Sequence, residues 1–233
     1  MQTLSQRWSM LEPAVTVVGP DDDRPRPAVI LFHGCGGLRG HLPKYAAAAK
    51  AAGWRAFIVD SYGPRGWSRA FAMAMVCTGV LLHGSQRAGD ILAALLGVSQ
   101  RRDVDGSKIV LAGWSHGGSD AGSVPLDGVI GTWLAYPYVG IGAFNKMRPW
   151  KHCPKTVAVI SRTDHLTTVR NAQQVHDMVR NCGADVETWI ADGTHSFDEP
   201  MTAPPMRYHP ELAAEAERRF VALLNDVAVA PGV

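Results

Sequence analysis

The sequence lacks the features expected of proteins that bind polyanions, metals or membranes. No block of five or more lysines and arginines occurs, and 23 basic residues nearly balance 21 acidic ones. The four cysteines are widely spaced without a C-x-x-C pair, which argues against a zinc site or a thioredoxin-like site. The longest apolar run, 71–82, is too short to span a bilayer. We therefore expect a small-molecule partner of little charge, and neither nucleic acid nor a membrane.

The first residues also lack the charged segment and apolar segment of a secretory signal. We therefore expect a cytoplasmic protein with reduced thiols. What the chain does have is an ordinary globular composition, with 46% hydrophobic and 19% charged residues among its 233 positions. A chain of this length buries about 70% of its unfolded surface on folding. We expect one α/β domain over residues 1–233 with its core at about 14–226, and nothing indicates an oligomeric state.

Short β-rich runs alternate with longer segments of helical spacing. Strands are predicted at 14–18, 28–32, 55–60, 108–112, 129–135, 156–160 and 185–190, and helices at 45–52, 86–96, 168–182 and 210–224. Several of the strands are continuous apolar runs, as is typical of strands that are buried on both faces. The alternation predicts a mostly parallel sheet with helices on both faces. In such sheets, functional residues collect in the loops that follow the carboxyl ends of the strands.

The segment Gly113-Trp114-Ser115-His116-Gly117 directly follows the predicted strand 108–112. It is a G-x-S-x-G pattern between a strand and a helix, which is the context of a nucleophile elbow. The two outer glycines are expected because a Cβ atom at either position would collide with the tight turn. A glycine-rich turn without any chemistry would show the same pattern. Its position in the chain nevertheless favours Ser115 as a nucleophile.

A serine hydroxyl becomes a good nucleophile only beside a base that is oriented by an acid. In folds of this kind the chain order is serine, acid, histidine, each in a loop after a strand. Asp164 follows the strand 156–160, and His195 follows the strand 185–190. Alone, Asp164 would be interpreted as a loop cap and His195 as a surface histidine. Together, and in this order after the serine turn, they predict a Ser115, His195 and Asp164 triad.

Acyl transfer also needs hydrogen-bond donors for the oxygen that becomes negative. The expected donors are the backbone N–H groups of His116 and of Cys35, which lies in the glycine-rich segment Phe32-His33-Gly34-Cys35-Gly36-Gly37. The Cys35 side chain is alternatively a reactive thiol, although no base is placed for it. His33 and His116 are expected to be structural or to line the pocket. No metal and no cofactor are predicted.

The substrate pocket is less well defined by the sequence. Tyr62 and Arg65 follow the strand 55–60 and are candidates for substrate binding. Arg65 would bind a substrate carboxylate or, alternatively, pair with a structural acid. The run 71–82 would line an acyl site or belong to the core, and the core is favoured. Arg87 and Asp90 lie three residues apart on a predicted helix, which favours a surface or half-buried ion pair.

These segments resemble the dienelactone hydrolase family of α/β-hydrolases over nearly the whole chain from about residue 28. The matching features are Phe32 to Gly37, Asp60 to Gly66, Gly113 to Gly118, Asp164, and Gly193-Thr194-His195-Ser196-Phe197. The resemblance implies a hydrolase of small esters or lactones that forms an acyl-enzyme, with no large cap domain and no cofactor.

Two features depart from the founding members of this family. Those enzymes use a cysteine nucleophile where this chain has Ser115, and they have a glutamate where it has Gly34. A thiol mechanism controlled by that glutamate is therefore excluded, and the serine subgroup is more similar to general carboxylesterases. Two alternatives stay open. One is another acyl transfer, such as thioesterase, peptidase or perhydrolase activity, and the other is a receptor-like binding protein on the same fold.

Overall fold

A seven-stranded sheet organises the computed structural model, which describes residues 2–82, 84–121, 128–139, 154–181, 183 and 185–229. The strands are β1 (Val15–Val18), β2 (Arg26–Phe32), β3 (Arg55–Val59), β4 (Val104–Trp114), β5 (Val129–Ala135), β6 (Lys155–Ser161) and β7 (Val186–Ala191). Their order across the sheet is β1-β3-β2-β4-β5-β6-β7. The edge strand β1 pairs antiparallel with β3, and every other neighbouring pair is parallel. The predicted α/β fold is confirmed.

Helices cover both faces of the sheet. They are α1 (Leu4–Leu11), α2 (His41–Ala51), α3 (Arg69–Met75), α4 (Gly84–Ser99), α5 (His116–Ala121), α6 (Val169–Asn181) and α7 (Pro210–Val229). Alternate residues of β2 point to opposite faces, so that Ile30 packs in a core with α1 and α4 while Leu31 packs in a core with α2 and α7. None of the helices in the described parts of the chain has both the length and the apolar character that crossing a bilayer requires.

Two of these helices were not predicted. The helix α1 begins at a capping box, in which Thr3 and Gln6 exchange side-chain and backbone hydrogen bonds. The helix α3 begins after Ser68, whose hydroxyl accepts from the Phe71 N–H. The core interpretation of 71–82 is right only in part. Ala72, Val76 and Leu82 are buried, but Phe71, Met73 and Val80 are 42–53% exposed.

The buried His176 of α6 makes the stability of the fold depend on pH. Burial lowers the pKa of this imidazole from 6.5 to about 4, whereas the unfolded chain takes up the proton near 6.5. The stabilisation is therefore complete above pH 6.5 and is lost as the pH falls towards 4. At about pH 5 the loss from this residue should reach roughly 2 kcal/mol.

Urea unfolding at about pH 7.5 and about pH 5 measures this loss. His176→Gln should make the free energy of unfolding less dependent on pH by approximately that amount. An unchanged difference between the two pH values in the variant would contradict the role of His176.

Candidate active site

Three strand ends bring together the side chains that the sequence predicted to form a triad. Ser115 directly follows β4, Asp164 follows β6, and His195 follows β7. The carboxyl ends of these parallel strands lie at one edge of the sheet. The Ser115 Oγ lies 2.8 Å from the His195 Nε2, and the His195 Nδ1 lies 2.7 Å from the Asp164 Oδ2. The three side chains therefore form one continuous hydrogen-bonded chain.

The backbone at Ser115 has the strained conformation of a nucleophile elbow. Its φ is +52°, in the left-handed region that non-glycine residues rarely adopt, and its N–H donates to the Ala135 carbonyl at 2.9 Å. A Cβ on Gly117 would lie 2.3 Å from the Phe32 carbonyl oxygen, and one on Gly113 would lie 2.4 Å from the Gly117 carbonyl oxygen. Both glycines are required because neighbouring backbone occupies the space of a side chain.

The two oxygens of Asp164 have different partners. The Oδ2 atom accepts from His195, while the Oδ1 atom accepts from the backbone N–H groups of Leu166 at 2.7 Å and Thr167 at 3.0 Å. Asp164 is thus both a cap of its own loop and the partner of the histidine. Because the backbone bonds fix the carboxylate, its remaining oxygen has a defined direction towards the imidazole.

The partners of His195 determine which of its nitrogens holds the proton. The carboxylate of Asp164 can only accept, so the Nδ1 atom donates to it. In the neutral ring the Nε2 atom is then an acceptor for the Ser115 hydroxyl. The imidazole is buried, and the rings of Tyr136 and His165 pack against it with centroids at 4.8 Å and 6.0 Å. His195 is therefore poised to receive a proton from Ser115.

The loop after β2 packs directly against the serine. A Cβ on Gly34 would lie 3.1 Å from the Ser115 Cβ and 3.8 Å from its Oγ, so only glycine lets this loop approach so closely. In the described parts of the chain, the next N–H, that of Cys35, donates to no carbonyl or side chain. It is therefore available to a ligand, as a donor for an oxyanion must be.

A disulfide joins this loop to the segment after α3. Cys35 and Cys77 are bonded across a sequence separation of 42, with Cα atoms 5.1 Å apart. The expectation of reduced thiols is wrong for this pair, and the alternative of Cys35 as a reactive thiol is excluded. Pairing over such a distance depends on the tertiary fold, which sequence spacing does not reveal. Cys153 and Cys182 lie outside the described residues.

Tyr62 is buried against the glycine-rich loop that contains Cys35. It is only 4% exposed, and its hydroxyl donates to the Cys35 carbonyl at 3.1 Å. Burial raises the pKa of this phenol to about 12, so it remains a donor. The prediction that Tyr62 binds substrate gains no support from these contacts, which make it a support of the oxyanion loop.

Arg65 has the alternative role that the sequence left open. Its terminal nitrogens bind the Asp90 carboxylate at 2.8 Å and the Ser61 carbonyl at 2.6 Å. Asp90 also binds Arg7 of α1 at 3.0 Å. Arg65 therefore pairs with a structural acid, and its binding of a substrate carboxylate stays a prediction.

A buried polar network lies beneath the glycine-rich loop. The His33 Nε2 accepts from the Ser61 N–H at 3.1 Å, so its Nδ1 carries the proton and donates to the Gly34 carbonyl at 2.7 Å. Burial, with the nearby Arg87 charge, lowers the pKa of His33 well below its usual range. Arg87 donates to the carbonyl of His33 at 2.6 Å and to the Ser61 hydroxyl. His33 is thus a neutral structural residue.

The sequence-based prediction for Arg87 and Asp90 is wrong about their surroundings. Both side chains are fully buried, whereas a surface or half-buried ion pair was expected. The reason is that α4 turns this face towards the loops after β2 and β3, where backbone carbonyls and Arg65 supply partners. The two side chains therefore bind the loops after β2 and β3, Arg87 directly and Asp90 through Arg65.

A parallel sheet with a serine elbow after its central strand defines the α/β-hydrolase class. Within that class, the model of the dienelactone hydrolase family matches residues 14–228, and the chain belongs to that family. The resemblance inferred from the motifs is confirmed. No functionally curated protein is similar enough in sequence to give a match.

Solved structures with the same fold include hydrolases of several kinds. A dienelactone hydrolase-like promiscuous phosphotriesterase from metagenomic libraries superposes with a TM-score of 0.74 at 18% identity, covering 91% of this chain and 92% of that one. For a candidate dienelactone hydrolase from Klebsiella pneumoniae the TM-score is 0.70 at 14% identity, covering 91% of this chain and 92% of that one. For esterase 2 of Thermogutta terrifontis, phosphorylated by paraoxon, the TM-score is 0.66 at 17% identity, covering 92% of this chain and 87% of that one. At these identities the likeness is one of fold.

Proposed function

We propose that the protein is a serine hydrolase that cleaves small carboxylic esters or lactones through an acyl-enzyme. The observation that supports this most strongly is the continuous contact from the Ser115 Oγ through His195 to Asp164, at 2.8 Å and 2.7 Å. A loop with a free N–H, that of Cys35, packs against the same serine. A nucleophile, a base, an acid that orients it and an oxyanion donor are the parts that acyl transfer needs.

In the first half of the reaction, the His195 Nε2 accepts the hydroxyl proton as the Ser115 Oγ attacks the carbonyl carbon. The carbonyl oxygen becomes negative and is held by the backbone N–H groups of Cys35 and His116. Asp164 keeps its charge throughout, and it stabilises the imidazolium that forms without taking the proton. His195 then gives its proton to the leaving alkoxide, and the acyl group remains on Ser115.

In the second half, a water molecule gives a proton to His195 and attacks the acyl carbon. The same two N–H groups hold the oxyanion, and the proton returns from His195 to the Ser115 oxygen as the acid departs. For a lactone the alcohol and acid products are the two ends of one molecule. No other group is required for the atoms and charges to balance.

The experiment that tests this function combines active-site labelling with a substrate panel. A fluorophosphonate probe should label the protein at Ser115, and p-nitrophenyl esters of increasing chain length, a simple lactone, a thioester and a peptide should then be compared for turnover. Turnover of esters or lactones that is lost in Ser115→Ala supports the proposal. Labelling without turnover of any acyl substrate would instead identify a binding protein.

Reaction with paraoxon distinguishes an esterase from a phosphotriesterase. The test is worthwhile because the similar structures include both an esterase phosphorylated by paraoxon and a phosphotriesterase. For the proposed esterase, one p-nitrophenolate per protein should be released as Ser115 becomes phosphorylated and inactive. Continued release beyond one equivalent would show that the phosphoryl group leaves the serine, and would make phosphotriester hydrolysis a second activity.

The disulfide should contribute both to stability and to turnover. By the chain-entropy estimate, a bond that closes a ring of this size stabilises the fold by about 4 kcal/mol. It also fixes the loop that bears the Cys35 N–H, and complete loss of one oxyanion donor costs roughly 100- to 1000-fold in kcat. Cys77→Ser should therefore lower the melting temperature and reduce kcat by a smaller factor, about three- to thirtyfold.

Treatment with dithiothreitol provides the matched measurement. It should reproduce the Cys77→Ser effect in the parent protein and have no further effect on the variant. Equal kcat values for the oxidised protein, the reduced protein and the variant would show that the loop keeps its geometry without the bond.

A further inference from the structure

Asp198 is a buried carboxylate that the mechanism above does not use. Its side chain is 2% exposed, and it accepts from the Tyr136 hydroxyl at 2.6 Å, the Tyr45 hydroxyl at 3.0 Å and the Trp114 Nε1 at 3.1 Å. Burial and the Asp198 charge raise the pKa of both tyrosines well above the usual range, so both remain O–H donors. Across the described ranges, no basic side chain forms an ion pair with it. Three neutral donors therefore satisfy this carboxylate.

The donors come from three different elements, one of which carries the proposed nucleophile. Trp114 is the residue before Ser115, Tyr136 directly follows β5, and Tyr45 lies in α2. Asp198 itself follows His195 by three residues in the same loop. A single carboxylate thus connects the strand that bears the nucleophile to the loop that bears the base.

The backbone at this junction is strained at three places. Ser115, Tyr136 and Ser196 have φ values of +52°, +37° and +55°, although none is glycine. Such conformations persist only where surrounding contacts hold them in place. Tyr136 donates directly to Asp198, and Ser115 follows Trp114, which also donates to it. Ser196 lies two residues before Asp198 in the chain.

The carboxylate is also linked to His195 through the side chain of Tyr136. The Tyr136 ring separates them, packing on the imidazole at 4.8 Å and donating to Asp198 at 2.6 Å. The groups that face His195 are Asp164, Ser115, Tyr136 and His165. The charge of Glu217 acts on Tyr45. Glu199, the residue after Asp198, is paired with His41 and Arg39. Tyr136 therefore connects Asp198 to the imidazole through direct contacts on both sides.

We propose that Asp198 is a positioning residue of this site. It holds Trp114 and Tyr136, and through them Ser115 and His195, in the geometry that permits proton transfer. The activity part of this inference rests on the proposed function, whereas the effect on His195 does not.

Asp198→Asn removes the charge and keeps two of the three hydrogen bonds, while the direction of the third is reversed. Its nitrogen would take the place of Oδ1 and donate to the Tyr136 oxygen, while its carbonyl oxygen would still accept from Tyr45 and Trp114. The matched control is Asp192→Asn, which removes the same charge from the same loop at a site that is 81% exposed. Asp198→Ala removes the bonds as well as the charge.

The expected results separate positioning from general stability. In Asp198→Asn, kcat for p-nitrophenyl acetate should fall roughly three- to tenfold with little change in KM. In Asp198→Ala, kcat should fall about 100-fold, because small displacements of reacting groups have effects of that size. Asp192→Asn should behave as the parent protein in both measurements.

NMR of the His195 ring, assigned with His195→Gln, gives a readout that needs no turnover, because the Nδ1 proton reports the hydrogen bond to Asp164. If the parent protein hydrolyses no ester, the proposed function fails, but an Nδ1 proton signal that is displaced in Asp198→Asn relative to Asp192→Asn still supports the inference. Identical kcat values and identical Nδ1 proton signals in these two variants would overturn it. If Asp198→Asn does not fold, Tyr136→Phe replaces it. That variant should reduce kcat at constant KM, and an unchanged kcat would overturn the inference.

Discussion

Replacing Ser115 with alanine should lower kcat for ester hydrolysis by about a million-fold, the loss seen when a triad nucleophile is removed. The reason is that the alternative reaction, direct attack by water, lacks the covalent step and keeps only substrate binding and the oxyanion donors. The change removes only the hydroxyl oxygen that contacts the His195 Nε2, and the fold should remain intact. Steady-state hydrolysis of p-nitrophenyl acetate measures the loss, with thermal unfolding as a check on folding.

The control for this substitution lies on the same strand. Ser107→Ala removes a hydroxyl at the exposed beginning of β4, far along the strand from Ser115, and should leave kcat unchanged. Because the proposed mechanism makes Ser115 and His195 one unit, the double variant Ser115→Ala with His195→Ala should be about as slow as either single variant. Multiplicative losses would mean that the two side chains act independently, which the 2.8 Å contact between them argues against.

Asp164→Asn should lower kcat by roughly 1000- to 10,000-fold while leaving the fold intact. The N–H groups of Leu166 and Thr167 both point at the Oδ1 position, so the amide must place its carbonyl oxygen there. Its NH2 group then faces the His195 Nδ1, which must become an acceptor. The proton moves to Nε2, opposite the Ser115 hydroxyl, where it prevents His195 from acting as a base.

The pH profile provides the decisive measurement for Asp164→Asn. A tautomer that cannot accept the serine proton should give low kcat over the whole range in which the parent protein is active, with KM nearly constant. Asp177→Asn, an exposed substitution on α6, serves as the surface control. Parent-like kcat in Asp164→Asn would show that another group orients the imidazole.

The central strands could be predicted because parallel strands buried on both faces are continuous apolar runs. The strands predicted at 129–135 and 156–160 agree with β5 and β6 to within one residue at each end. The strand predicted at 108–112 is much longer in the structure, where β4 spans Val104–Trp114. Its first residue, Val104, is buried, but Asp105, Gly106 and Ser107 after it are half-exposed or exposed, and a search for apolar runs misses this part of the strand. The helices α1 and α3 were also missed, although Thr3 with Gln6 and Ser68 were usable capping signals.

The site was predictable to the extent that its residues belong to short motifs. Ser115, Asp164 and His195 each follow a strand, and the structure brings them together, while their catalytic roles stay predictions. Asp198 carried no signal, because its donors Tyr45, Trp114 and Tyr136 come from distant parts of the chain. Arg65 was ambiguous because its partner lies on α4, in a helix whose burial its sequence did not reveal. The expectations of one domain and of a cytoplasmic location stay predictions too.

The bond between Cys35 and Cys77 turns the intervening chain into a closed covalent ring. This ring contains α2, β3, Tyr62 and α3, and its most exposed part includes Phe71 and Met73. A protease that cuts the chain once within the ring leaves both fragments attached to each other. The glycine-rich loop beside Ser115 would then stay tethered to the cut segment, and the two pieces would separate on a gel only after a reductant is added.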